Sequence, residues 1–218
     1  MSLFFAKTPK CFSIQIRFPI YDSGTPHIGE DKKYKSYKGE QGRIQPNLLE
    51  RNFKAIAPNQ KWATDITEFN VSGKKLYLSP IIDLFNQEIV SYELRERPVF
   101  NQVVIMLKKA FRKIPNNTNL MLHSDQGWQY QMKQYQCLLK RKGIIQSMSR
   151  KGNCLDNAII ENFFGTLKSE LFYIKKFRTI EELKNEIQQY IKYYNNERIK
   201  SNLNKMSPIQ YRAQYYQN

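Results

Sequence analysis

Apolar and polar positions change rhythm twice along this chain. Up to about residue 60 they follow no sustained period. From Lys61 to Ser149 they form short alternating or continuous apolar runs broken by turn residues, and beyond Asp156 they recur every three or four positions. The middle stretch predicts strands over Trp62–Val71, Lys75–Leu84 and Glu88–Arg95, joined by turns at Ser72-Gly73-Lys74 and Asn86-Gln87. Two turns this short imply an antiparallel meander. Val99–Ile114 then reads as a helix, with Val103, Val104, Leu107, Ala110, Phe111 and Ile114 on one stripe. A buried strand over Asn119–Asp125 and a helix over Tyr130–Lys142 follow, the latter closed by Gly143 as a C-cap. Ile144–Ser149 reads as a fifth strand and Arg150–Asp156 as a loop. Asp156 is expected to cap a long helix from Asn157 to Phe172. Thr179 is expected to cap another, reaching Glu197, and Ser207-Pro208 to open a short last helix. The order is β-β-β-α-β-α-β-α with helices beyond it.

These patterns divide the chain. Residues 1–30 read as a poorly ordered or non-homologous leader, with Pro9, Pro19, Gly24, Pro26 and Gly29 scattered through them. Residues 31–60 read as a basic linker or arm, 61–172 as the core, and 173–218 as a helical extension of it.

Composition fits a folded α/β domain. At 218 residues and 41 % hydrophobic, the chain has enough apolar side chains for a sizeable core, which excludes wholesale disorder. No run of 18 apolar residues exists, so no membrane-spanning helix is expected. The apolar-leaning segment Cys11–Ile20 is interrupted by Gln15 and Arg17 and reads poorly as a secretory signal. Three cysteines far apart, Cys11, Cys137 and Cys154, suit a reducing cytoplasm. The formal charge is +16, and it is uneven: +5 over residues 1–60, +2 over 61–125 and +9 over 126–218. A near-neutral middle with basic flanks points to nucleic acid.

Three acidic residues stand out against that basic background. Asp65 lies inside a run that reads as strand, where aspartate is disfavoured. Asp125 ends a buried strand, and Glu161 enters an apolar helix among Ile159, Ile160, Phe163 and Phe164. Carboxylates at buried edges are costly unless paired, protonated or bound to metal. Converging carboxylates repel one another, and divalent cations relieve that repulsion. Two such ions can clamp the attacking and leaving oxygens of a phosphodiester.

Thirty-five residues separate Asp125 from Glu161, a spacing that resembles retroviral integrases and many bacterial transposases. The wording around it is closer still: Trp62-Ala63-Thr64-Asp65-Ile66-Thr67, His123-Ser124-Asp125-Gln126-Gly127, Ser149-Arg150-Lys151-Gly152-Asn153-Cys154-Leu155-Asp156-Asn157-Ala158, and Glu161-Asn162-Phe163-Phe164. With Tyr194-Asn195-Asn196-Glu197-Arg198 and Ser207-Pro208-Ile209-Gln210-Tyr211-Arg212, these resemble the second-frame (OrfB) transposases of the insertion-sequence-three family. The resemblance implies an α/β RNase H-like fold, a mixed five-stranded sheet flanked by helices with a C-terminal helical extension. It implies that Asp65, Asp125 and Glu161 hold two Mg²⁺ ions, with Mn²⁺ as substitute, for DNA cleavage and strand transfer. It also implies element ends and target DNA as substrates, a homo-oligomer on DNA, a first-frame (OrfA) partner and a bacterial cytoplasm. The family's upstream helices have no counterpart in residues 1–30, which reads as a truncated or frame-shifted copy.

Around the trio, Lys168 shares a helix face with Glu161 and resembles the family's DNA-contacting lysine. Asn157 shares that face one turn earlier, where integrase-like families often carry arginine; Arg150 and Lys151 with Gly152 make a basic loop that could close over DNA, with plain mobility as the alternative. His123 reads as a satisfied structural histidine, with metal ligand or general base as the alternative. Trp128 and Tyr130 read as core caps, with base stacking as the alternative. Two competing functions remain: an RNase H-like nuclease without strand transfer, and a non-catalytic DNA-binding relic.

Overall fold

Three antiparallel and two parallel strand pairings build one mixed sheet in the computed structural model, which describes residues 42–217. The leader expected over 1–30, and the arm as far as residue 41, lie outside the described residues. The strands are β1 (Lys61–Thr64), β2 (Thr67–Val71), β3 (Lys74–Asp83), β4 (Ile89–Arg95), β5 (Met121–Ser124) and β6 (Ile145–Met148). β1, β2 and β4 run antiparallel to β3, whereas β1, β5 and β6 are parallel neighbours in that order.

The sheet has six strands rather than five because the run read as one strand, Trp62–Val71, is interrupted at Asp65-Ile66. Register is continuous across the gap: Thr64 faces Ile81 and Thr67 faces Leu78. Asp65 therefore falls opposite Pro80, which has no N–H to give a ladder. The Thr64 hydroxyl donates to the Pro80 carbonyl at 2.8 Å instead, and the Asp65 carboxylate accepts the next backbone N–H, from Ile66, at 2.7 Å. Asp65 thus ends a strand; it does not lie within one.

Helices cover both faces. α1 (Phe100–Phe111), the short α2 (Trp128–Gln131) and α3 (Lys133–Lys142) enclose one core with Trp62, Ile81, Val90, Leu122 and Met148. α4 (Ala158–Leu167) and α5 (Ile180–Asn196) enclose the other with Ala63, Phe69, Leu76, Leu78 and Ile82. Gly143 ends α3 in the left-handed conformation (φ 75°) as expected, its N–H returning to the last turn. Thr179 caps α5 by accepting from the Glu182 N–H at 3.1 Å. Three helical expectations change. The helix read over Tyr130–Lys142 breaks at Met132, which is extended, and Asp156 does not cap α4, because its carboxylate is taken by arginines. The long helix is α only to Leu167; Lys168–Phe172 continues as a wider π turn.

α6 (Pro208–Gln217) is fixed to the sheet end by charge. Arg212 meets the fully buried Asp83 carboxylate at 2.6 Å and Glu88 at 2.9 Å. Two of the marginal strands, β4 and β6, are guarded. On β4, Lys113 donates to the Val90 carbonyl at 2.5 Å and the Asn195 amide brackets Ile89. On β6, residues 45 and 46 lie alongside, the Met148 N–H reaching the Pro46 carbonyl at 3.2 Å.

Candidate active site

Parallel pairing of β1 with β5 aligns Thr64 with Ser124, so the next residues of the two strands, Asp65 and Asp125, emerge together at the same sheet end. α4 packs against β1 and brings Glu161 within electrostatic reach of Asp65. Burial first, then the Asp125 charge, push the Asp65 carboxyl up to about 7. Glu161 adds a smaller push, and the Ile66 N–H and the Asn157 amide pull the other way. Asp125 is also raised by burial, opposed by the Gly127 N–H, which donates to its Oδ1 at 2.9 Å. A side chain at Gly127 would press on that oxygen: a Cβ there would lie 2.9 Å from it and 2.5 Å from the Gln129 amide.

The three carboxylates are not alike. Asp65 and Asp125 are half-buried, whereas Glu161 is exposed, because Ile160, Phe163 and Phe164 take the inner side of α4. The expectation of three carboxylates at buried edges therefore holds for two. Among the described residues, no three acidic, histidine or cysteine groups are gathered tightly enough to close on one ion. The donor set nonetheless suits a hard cation. Mg²⁺ is commonly held by one or two carboxylates, with water and substrate phosphate completing its shell. The Asp65–Asp125 pair, whose mutual repulsion a cation would relieve, offers that arrangement.

Beside the pair sits a buried amide. Asn157 is buried, and neither its amide nitrogen nor its oxygen has a hydrogen-bond partner among the described residues, although it lies near enough to favour the Asp65 anion. Such orphaned groups are rare in folded interiors. The Tyr130 hydroxyl is likewise buried and unpartnered, and it feels the charges of Asp65 and Asp125.

The remaining sequence candidates occupy different places. Lys168 stands over the Phe69 ring at 5.5 Å, near Glu68. Lys151 is exposed in the loop before α4. Arg150 is half-committed: its backbone N–H and its guanidinium, bidentate, all bind Asp156 at 2.9–3.1 Å. Of the two aromatics expected to cap the core, Tyr130 does so and is fully buried, but Trp128 is 55 % exposed beside the Asp125 turn. His123 is buried, its imidazole pushed down to about 4 by desolvation, and Nδ1 lies 2.9 Å from Ser147 Oγ. Its Nε2 meets no partner at full hydrogen-bond geometry among the described residues, so only one ring nitrogen is satisfied as a structural histidine's would be. The sequence reading takes Asp156 for a helix cap, whereas it is the fully buried partner of Arg51 and Arg150, and it passes over Ser147, which accepts the Leu48 and Leu49 N–H groups. Neither role has a full local signal, because Arg51, Asn47, Leu48 and Leu49 lie about a hundred residues away in sequence.

Comparison with known proteins agrees with this geometry. Two models of the integrase core domain match the chain, one over residues 55–154 and the other over 161–216. The chain is 60 % identical over 185 residues to the putative transposase InsK for insertion sequence element IS150 of Escherichia coli, covering 85 % of this chain and 65 % of that protein. It thus spans less than two thirds of that relative's length. It is 55 % identical to an uncharacterized transposase-like protein of Haemophilus influenzae, covering 84 % of each, and 40 % identical to the transposase for insertion sequence element IS904 of Lactococcus lactis, covering 83 % of this chain and 72 % of that one. Among solved structures, it resembles the chain of a simian T-cell lymphotropic virus intasome with a TM-score of 0.62 at 17 % identity, covering 80 % of this chain and 60 % of that one. The HTLV-2 integrase catalytic core domain in complex with magnesium gives 0.52 at 17 % identity, covering 73 % and 98 %. The fold is therefore RNase H-like, of the integrase-core kind, and by sequence the chain belongs to the insertion-sequence-three family of transposases.

Proposed function

We propose that this chain cuts and joins DNA strands during insertion-sequence transposition, with Asp65, Asp125 and Glu161 holding two Mg²⁺ ions, or Mn²⁺ in their place. The observation that carries the reading is the pair Asp65 and Asp125 at the ends of adjacent parallel strands, with Glu161 of α4 in electrostatic reach. When bound, the ions would lower the pKa of a water and stabilise the leaving oxygen of a phosphodiester.

The chain's own residues prepare the site. Asp65 gives up its raised proton as the site loads, and the Gly127 N–H holds one oxygen of Asp125, which fixes the direction of the other. Asn157 offers an unpartnered amide toward the same space, suited to a phosphate or to a water beside it. Lys168, Lys151 and the exposed part of Arg150 supply positive charge for the DNA backbone, in keeping with the net +9 over residues 126–218. Residues 61–172 form the catalytic core and 173–218 its helical extension. The substrates are the element ends and target DNA, handled by a homo-oligomer in the bacterial cytoplasm with a first-frame partner.

The test is incubation of the full chain with element-end DNA and Mg²⁺. Joined strands that vanish in Asp65→Ala support strand transfer. Shortened strands alone reduce the activity to hydrolysis, and binding without Mg²⁺-dependent nicking removes the catalytic reading.

A further inference from the structure

The loop entering α4 is held from outside the elements that carry the carboxylates. Asp156 has no exposed side-chain surface, and its carboxylate accepts five hydrogen bonds. Three come from Arg150, in the same loop; the others come from Asn47 Nδ2 and Arg51 Nε, each at 2.9 Å and more than a hundred residues upstream. Arg51 also reaches the Asn153 side chain at 3.1 Å. A second tie lies alongside. The Leu48 and Leu49 N–H groups donate to Ser147 Oγ at 2.9 and 3.1 Å, which fills its two acceptor sites. The Ser147 hydrogen is left for His123 Nδ1, two residues before Asp125.

Both ties end next to the site. Asp156 precedes Asn157, whose unpartnered amide lies beside Asp65, and stands five residues before Glu161. Arg150 alone would satisfy Asp156 as a loop staple. A second guanidinium, brought from a distant segment at the cost of ordering a long side chain, has a consequence only if that segment's position matters. A phosphate receptor is the less apt reading of the two arginines, because Asp156 already occupies them and Glu50 lies within electrostatic reach of Arg150.

We propose that Asp156 is a positioning residue through which the segment Asn47–Arg51 sets the entry of α4, and with it Asn157 and Glu161, against Asp65. Displacing that segment loosens the site without removing any group that touches DNA or metal. The proposal rests on the assignment of the three carboxylates to strand chemistry.

Arg51→Ala and Arg51→Lys in the full chain test it, since Arg51 is partly exposed and lies outside both cores. Nicking of supercoiled plasmid with Mg²⁺ should show kcat about tenfold or more lower in Arg51→Ala, KM within about twofold, and partial recovery in Arg51→Lys. Amide hydrogen exchange over residues 153–160 should quicken in Arg51→Ala. An unchanged kcat overturns the proposal, whether or not KM rises as it would on loss of a phosphate contact, and so does unchanged exchange over 153–160. A wild-type chain that fails to nick refutes the strand-chemistry assignment instead, and the exchange comparison still decides the coupling.

Discussion

Asp65 and Asp125 each stand one residue beyond a matched pair, Thr64 and Ser124, where two parallel strands end side by side. Parallel pairing makes this possible, because it brings two strand ends, and the residues just past them, to one edge of the sheet. Burial, and then the Asp125 charge, penalise an ionised Asp65, so the site is under electrostatic tension once that proton is lost.

That tension sets a pH dependence. The folded Asp65 keeps its proton up to about 7, whereas an unfolded aspartate releases it near 4. Between those values the folded state binds more protons, so metal-free stability should fall as pH rises from about 4 to 7, by a few kcal/mol at most. Asp65→Asn should flatten much of this slope and raise stability at pH 8 while abolishing Mg²⁺-dependent nicking. Urea unfolding at several pH values measures it, and a variant less stable than wild type at pH 8 would contradict the electrostatic account.

Asp156 should behave oppositely. Its arginine partners hold its carboxyl well below the usual range, so its contribution is complete above about pH 4 and is lost as pH falls toward the depressed folded value. Asp156→Ala should cost about 2–3 kcal/mol at pH 7, the loss of several charge-assisted hydrogen bonds. The cost should shrink in acid, as chemical denaturation at pH 7 and pH 3 would show.

Arg212→Ala leaves the Asp83 carboxylate buried without its cation, which typically costs about 3–5 kcal/mol. Melting of the variant should show this loss, and limited proteolysis should release the C-terminal helix first. A stability change below about 1 kcal/mol would mean that α6 is held by something else.

Trp128 and Tyr130 separate surface from core. Trp128→Ala should shift stability by no more than about 0.5 kcal/mol, since the ring is more than half exposed. Tyr130→Phe should change stability little, because the hydroxyl it removes is buried and, among the described residues, has no partner at full hydrogen-bond geometry, with Thr64 its near neighbour. Binding of single-stranded DNA, followed by tryptophan emission before and after Trp128→Ala, tests the stacking alternative.

Much of this was legible in the sequence because it depends on near neighbours. Gly143 past an amphipathic stretch, Thr179 three residues before Glu182, and the turns at 72–74 and 86–87 declare themselves within a few positions. The interruption at Asp65 did not, since its cause is Pro80, which meets Asp65 only once the register of β1, β2 and β3 is set. Asp156 reads as a helix cap for a similar reason: locally it suits that position, and Arg51, 105 residues distant, competes only in the folded chain. Glu161 was placed at a buried edge because its neighbours are apolar, yet on a helix those neighbours turn inward and leave it outside.

The guarded strands β4 and β6 limit how copies of this chain can come together. With Lys113 and Asn195 at Val90 and Ile89, and residues 45 and 46 beside Met148, the backbone groups at these points of β4 and β6 are already engaged and cannot be continued by a second sheet. Copies meeting at those two margins would have to do so through helix surfaces, side chains or a shared nucleic acid. An assembly so joined can form and come apart without either subunit surrendering a strand, and each copy keeps its own carboxylates aligned throughout.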